Sequence, residues 1–198
     1  VYDVCGLRQC EQAGAGLNLD VSQIEAQFPE AVQARRFTYT RWLDDADAII
    51  DFCKLKTHGM LAMTNACKNF FGVIPGTMKS EYHYQYPNTA DFADMLVDLC
   101  EYFNPRLVLC DAVFGMEGNG PTQGHPRKIG TILAAKNAHK LDLAASRLLG
   151  LTVQDVPTLS AALRRGLIPD SVDCLSVSGN LAAFAVPDFV VPAMRPDT

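Results

Sequence analysis

The sequence predicts an α/β fold, a mostly parallel sheet flanked by helices within a single compact domain. Two observations carry this. Continuous apolar runs at Ala48 to Cys53 and Leu107 to Val113 each pass directly into a polar cluster, as strands buried on both faces do. Between them, Phe92, Met95, Leu96, Leu99 and Phe103 recur at three- and four-residue intervals and share one helix face. Strand, helix, strand in that order make a crossover unit, which sets the two strands parallel in one sheet. With 198 residues the chain has enough apolar content for one substantial core.

Taken in order, residues 1–14 predict a short helix, 16–20 a short strand and 36–43 another strand. The first strong strand spans Ala46 to Lys54. Thr64 is placed to cap a helix that carries Cys67, Lys68, Phe70 and Phe71, with Gly72 ending it and Pro75 barring its continuation. Thr89 opens the next helix and Pro105 closes it. After the strand at Leu107, the segment Gly115 to Pro121 reads as a glycine-bearing loop, and Lys128 to Ala135 as a further buried strand. Leu141, Ala144, Ala145, Leu148 and Leu149 define a helix ended by Gly150; Pro157, Leu159, Leu163 and Gly166 define one more. Cys174 to Val177 is expected as a last strand. The domain is placed at residues 1–179, followed by a proline-punctuated tail over 180–198 with Pro187, Pro192 and Pro196.

A formal net charge of -5 argues against a general nucleic-acid binder, because phosphate-backbone binding calls for a basic face. No stretch approaches the ~20 consecutive apolar residues of a membrane-spanning helix, and no signal-peptide pattern opens the chain. The expectation is a cytoplasmic protein with no membrane and no nucleic-acid partner. The first residue is Val1 rather than Met, which suggests a fragment lacking its N-terminal part. Seven cysteines are scattered, mostly in apolar surroundings, and none forms a CxxC pair, so the segment itself predicts no cofactor. Cys53 adjoins the basic cluster and reads first as a small buried hydrophobe; a reactive thiolate is the lesser alternative, since that needs an electropositive and partly open setting such as Lys54 and Lys56 could supply.

The chemistry concentrates in two clusters at the carboxyl ends of the two strong strands, where ligands bind in parallel sheets. Lys54 and Lys56 point to one face if the strand persists, with Thr57 and His58 beyond; two ammonium groups attract a carboxylate or phosphate. Lys68, Asn69 and Lys79 extend the polar surface. Glu117, Gly118 and Asn119 lie in a loop that matches neither GxxxxGK[ST] nor GxGxxG. The leading expectation is a small anionic ligand between the two clusters. Lys54, Lys56 and Lys68 would neutralise it, Thr57, Asn69, Asn119 and the Gly118 backbone would orient it, and His58 and Glu117 would act as catalytic proton carriers. A metal-dependent enzyme using His58, Asp111, Glu117 or His125 is the alternative from the same residues. His139 is expected at a surface helix start.

Lys54-Leu55-Lys56-Thr57-His58-Gly59, then Lys68-Asn69 with Phe71-Gly72 and Ile74-Pro75-Gly76, then Gly115-Met116-Glu117-Gly118-Asn119-Gly120-Pro121, together resemble the signature of the prokaryotic family named domain of unknown function 362. The resemblance runs from about Asp44 to Gly166. Asp51 and Cys53 stand where the family pattern has an Asn and a Pro. Members often carry a ferredoxin-like module with iron-sulfur clusters, so the resemblance implies a second function class: a redox accessory domain serving an iron-sulfur module outside this segment.

Overall fold

The structure is a computed structural model, and it describes residues 2–193. Val1, at the start of the first expected helix, and Pro196 of the expected tail lie outside the described residues. Four strands form the main sheet: β3 (Ile50–His58), β4 (Ala62–Thr64), β5 (Leu107–Asn119) and β6 (Gln123–Ala135), in the order β4-β3-β5-β6. A separate antiparallel pair joins β1 (Gln23–Gln27) and β2 (Arg36–Thr40). Among the described residues six α-helices accompany them: α1 (Arg8–Gln12), α2 (Ala66–Asn69), α3 (Lys79–Gln85), α4 (Thr89–Phe103), α5 (Ala138–Leu148) and α6 (Pro157–Arg164).

The α/β class and the crossover are as expected: β3 and β5 are parallel, with α4 between them in the chain. The sheet as a whole is mixed. Tight returns add β4 and β6 antiparallel on either side of that parallel pair, so hairpins rather than further crossovers complete it.

Burial along β3 alternates. Asp51, Cys53, Leu55 and Thr57 face the helices, whereas Ile50 and Phe52 are 61% and 69% exposed on the other face. Phe114 and Ile132 extend the same uncovered face across β5 and β6. The apolar run at Ala48 therefore marks a strand covered on one face, not two: the helices form a single layer, and its core is built from Leu55, Val108, Cys110, Ala112, Phe92, Leu96, Leu99, Leu141, Leu148 and Leu159. A run of apolar residues cannot reveal which side lacks a partner.

The caps explain the strongest helices. Asn88 accepts the Asp91 amide to open α4, and Asn104, at φ 38, ends it in the left-handed conformation that asparagine tolerates. Asn137 accepts the Lys140 amide to start α5, and Pro157 takes the first turn of α6. Buried Asp98 on α4 accepts the amides of Val32, Gln33 and Ala34 and pairs with Arg165 at 2.8 Å, which ties the β1–β2 connection and α6 to the same helix. Phe37 and Tyr39 of β2 then pack edge-on against Tyr102 and Phe103.

Three local expectations need correction. Residues 16–20 are irregular, and the N-terminal strand lies later, at β1. Thr64 ends β4 rather than capping α2; its job is done from a distance by Asp142 of α5, which accepts the amides of Ala66 and Cys67 at 2.9 and 3.0 Å. No strand forms at Cys174 to Val177, where a single 3-10 turn, Val172–Cys174, precedes irregular chain. Within the stretch from Asn180, Val186 donates to the Leu148 carbonyl and Phe189 is buried.

Candidate functional site

The basic and glycine-bearing segments lie side by side. Both are strand rather than loop: β3 runs through Lys54 to His58, β5 continues to Asn119, and Lys56 registers with Met116. The Thr57 hydroxyl donates to the Gly118 carbonyl at 2.9 Å and lies 3.3 Å from that of Met116. A Cβ on Gly120 would sit 2.2 Å from the Thr57 carbonyl, so that position needs glycine for close backbone approach. Contact this tight leaves no cleft between the two segments.

Their polar side chains are engaged locally. Lys54 pairs with Asp111 across the strands at 2.8 Å, and this hydrogen bond holds the Asp111 carboxyl below its usual range. Nδ1 of His58 accepts the Met60 and Leu61 amides, both at 3.2 Å, shaping the return into β4. Glu117 meets Arg127 at 3.5 Å through one oxygen and accepts the Val190 amide through the other. Gly118, at φ +78, donates its amide to the Val190 carbonyl. Asn119 donates to Gln123 across the hairpin turn, and exposed His125 registers opposite Glu117. The set His58, Asp111, Glu117 and His125 is not gathered as a metal-binding group among the described residues.

A different corner collects positive charge. The ammonium groups of Lys68 and Lys79 lie over the same Phe71 ring, at 5.6 and 5.9 Å from its centroid. Burial, followed by the charges of Lys79 and Lys56, pushes half-buried Lys68 down to about 8. His83 stacks on Phe92 at 4.5 Å and touches the Phe71 edge; burial and then Lys68 lower its pKa as well. Among the described residues no carboxylate forms an ion pair with Lys56, Lys68 or Lys79. His83 also lines an open depression with Met60, Tyr84, Gln85 and Pro87. Asn69 donates to Asp51 at 2.6 Å and to the Phe52 carbonyl at 3.4 Å. Burial raises Asp51 to about 6, and its second carboxylate oxygen has no hydrogen-bond partner.

The inward side of α2 holds a second group that sequence reading missed. Cys67 meets Cys100 of α4 and His139 of α5 in the core; His139 is 1% exposed, so it is not a surface residue although it does lie in the first turn of its helix. Its Nε2 lies 3.0 Å from a Glu101 oxygen. Against the opposing effect of burial, interactions with Cys67 and Glu101 raise His139 to about 10, while Cys100 first and His139 second lower Cys67 to about 6. Asp142 is raised to about 7 by burial and by Cys67. The signal was present but dispersed: two cysteines in apolar runs and a histidine one residue inside a cap, far apart in sequence. Cys53 is buried, donates to Asn65, and has its thiol pushed up by Cys110 and by burial, which is the setting of an inert thiol. With Cys5, Cys10 and Cys174 exposed and only two thiols in any group, the described residues do not fit a four-thiolate iron-sulfur cluster.

Comparison with known proteins agrees with the motifs. A thylakoid-associated protein of Synechocystis sp. is 38% identical over 130 residues, which are 65% of this chain and 40% of that protein. The chain thus spans less than half the length of this relative. No solved structure matches it. No helix among the described residues is long and apolar enough to cross a membrane. The family described as domain of unknown function, DUF362, matches residues 1–147, and the chain belongs to that family.

Proposed function

We propose that this domain binds a small anionic ligand, a carboxylate or phosphate, at the corner formed by Lys56, Lys68 and Lys79 with His83 beside them. One observation carries the reading: Lys68 is depressed first by burial and then by the charges of Lys79 and Lys56, and among the described residues no carboxylate forms an ion pair with any of the three. Unrelieved repulsion in an acidic chain is a cost that a bound anion removes. The site predicted from sequence therefore shifts. Lys54 is neutralised by Asp111, Thr57 and Gly118 fasten the strands, and Asn69 and Asn119 bond within the protein; Lys56 and Lys68 remain, joined by Lys79. In this reading His58 and Glu117 hold backbone amides and do not move protons.

The test is thermal unfolding with inorganic phosphate, sulfate and citrate at constant ionic strength. Saturation at 100 times Kd stabilises by about 2.7 kcal/mol, and a Lys68→Met, Lys79→Met double variant should lose the response. Equal responses in the two proteins, or none to any anion, would sink the proposal. Because the relative is named as thylakoid-associated, vesicles with anionic headgroups form a second arm, separating a lipid phosphate from a free one.

A second reading, an accessory module that docks against an iron-sulfur partner, is favoured by the uncovered sheet face at Ile50, Phe52, Phe114 and Ile132. Iron and sulfide analysis of the full-length product checks it. A cytoplasmic setting belongs to the proposal in both readings.

A further inference from the structure

Three helices each send one soft or borderline ligand to a single buried point. Cys67 comes from α2, Cys100 from α4 and His139 from α5, and their ligand atoms all lie within 4.8 Å of one another. A tetrahedral zinc ion with Zn–S near 2.3 Å and Zn–N near 2.0 Å holds such atoms about 3.5–3.8 Å apart. The contraction needed is therefore at most about 1.0–1.3 Å, within the reach of side-chain rotation.

The histidine is oriented for ligation. Nε2 faces Glu101 at 3.0 Å, whereas Nδ1 is buried and makes no hydrogen bond. A carboxylate on one ring nitrogen fixes the tautomer and presents the lone pair of the other, the arrangement found behind metal-bound histidines. A buried ring nitrogen without a partner is otherwise a standing cost. We propose that Cys67, Cys100 and His139 form a site for a soft or borderline divalent cation, zinc above all, with Glu101 as the outer carboxylate that orients His139.

The charges suit this assignment. Two thiolates and one divalent cation sum to zero, so the occupied centre is neutral where either thiolate alone would be a buried charge. Asp142 is not a fourth ligand in this arrangement, since both of its oxygens accept α2 amides. Three protein ligands leave one coordination position for water or a small exogenous ligand. All three side chains are at most 2% exposed, so loading is coupled to folding rather than to encounter at the surface.

The test is expression of the whole chain in medium supplemented with zinc, or with cobalt as a spectroscopic substitute, and purification without chelator. One metal per chain is expected, with a thiolate-to-cobalt charge-transfer band and the intense visible bands of a tetrahedral ion. Cys67→Ser with Cys100→Ser should bring the metal content below one tenth, whereas Cys53→Ala should leave it unchanged. Glu101→Gln should weaken cobalt binding roughly 10- to 100-fold. Absence of metal from the unsubstituted protein, a cobalt spectrum without a thiolate band, or undiminished metal in the double serine variant would each overturn the assignment. So would a Cys67–Cys100 disulfide found by peptide mapping of the metal-free protein under non-reducing conditions, because that bond takes the place of a metal.

Discussion

The two faces of α2 differ in how they treat charge. Inward, Cys67 is enclosed by Cys100 and His139, and the helix amides end on Asp142. Outward, the very next residue, half-buried Lys68, lies over an aromatic ring, and burial followed by the charges of Lys79 and Lys56 lowers its pKa. Four residues of helix thus separate a region whose polar groups are mostly partnered from one whose positive charges are not. Internal partnering is what a fold needs, whereas unpaired charge at a surface corner is available to a ligand.

The largest expected effect comes from removing the anchor common to both faces. Asp142→Ala leaves two buried amides without acceptors, at about 1–3 kcal/mol each. Part of this gross cost of about 2–6 kcal/mol is offset by losing a carboxyl whose burial raises it to about 7, so urea unfolding should show a net destabilisation below that sum and larger at low pH, where the carboxyl is protonated in either state. An unchanged midpoint would show that α2 does not depend on α5 for its cap.

Asp51, held by Asn69, gives a smaller effect of opposite sign. Its folded pKa of about 6 lies above the ordinary 3.8, so the native state keeps the proton longer and stability falls as pH rises from about 4 to about 6. Asp51→Asn keeps an acceptor for Asn69 and removes the charge. It should stabilise the protein by about 1–2 kcal/mol at pH 8, with no gain below pH 4.

Lys68→Met sharpens the outward side. Because Lys68 titrates at about 8 when folded and 10.5 ordinarily, the unfolded chain binds more protons between those values, and native stability climbs across that window. Discounted for partial exposure, the variant should gain about 1 kcal/mol at pH 7, shrinking to nothing above pH 10.5. A gain that persists at high pH would mean that packing, not charge, limits this corner.

The sequence conveyed much of the fold and less of the site, for physical reasons. Periodicity and caps located α4, α5 and α6, and strand–helix–strand order predicted the parallel pairing of β3 with β5. The outer strands β4 and β6 join by hairpins, and the glycines that make the second hairpin possible look, in one dimension, like a ligand loop. Gly120 is small because the Thr57 backbone passes against it. Among the lysines, Lys54 and Lys56 read alike, and only strand register shows that Asp111 neutralises the first. The Cys67, Cys100 and His139 cluster was beyond reach because three separate helices assemble it and none of its members is unusual in its own segment.

The C-terminal segment imposes an order of events on biosynthesis. Glu117 and Gly118 reach their last hydrogen-bond partners only at Val190, 73 residues after Glu117, and Arg127 grips Asp188 through two 2.7 Å contacts in the same stretch. On a ribosome adding about 5–20 residues each second, the hairpin tip waits several seconds with those groups in water. The tip therefore stays open to solvent and to chaperones until the Asp188 to Val190 stretch has been made.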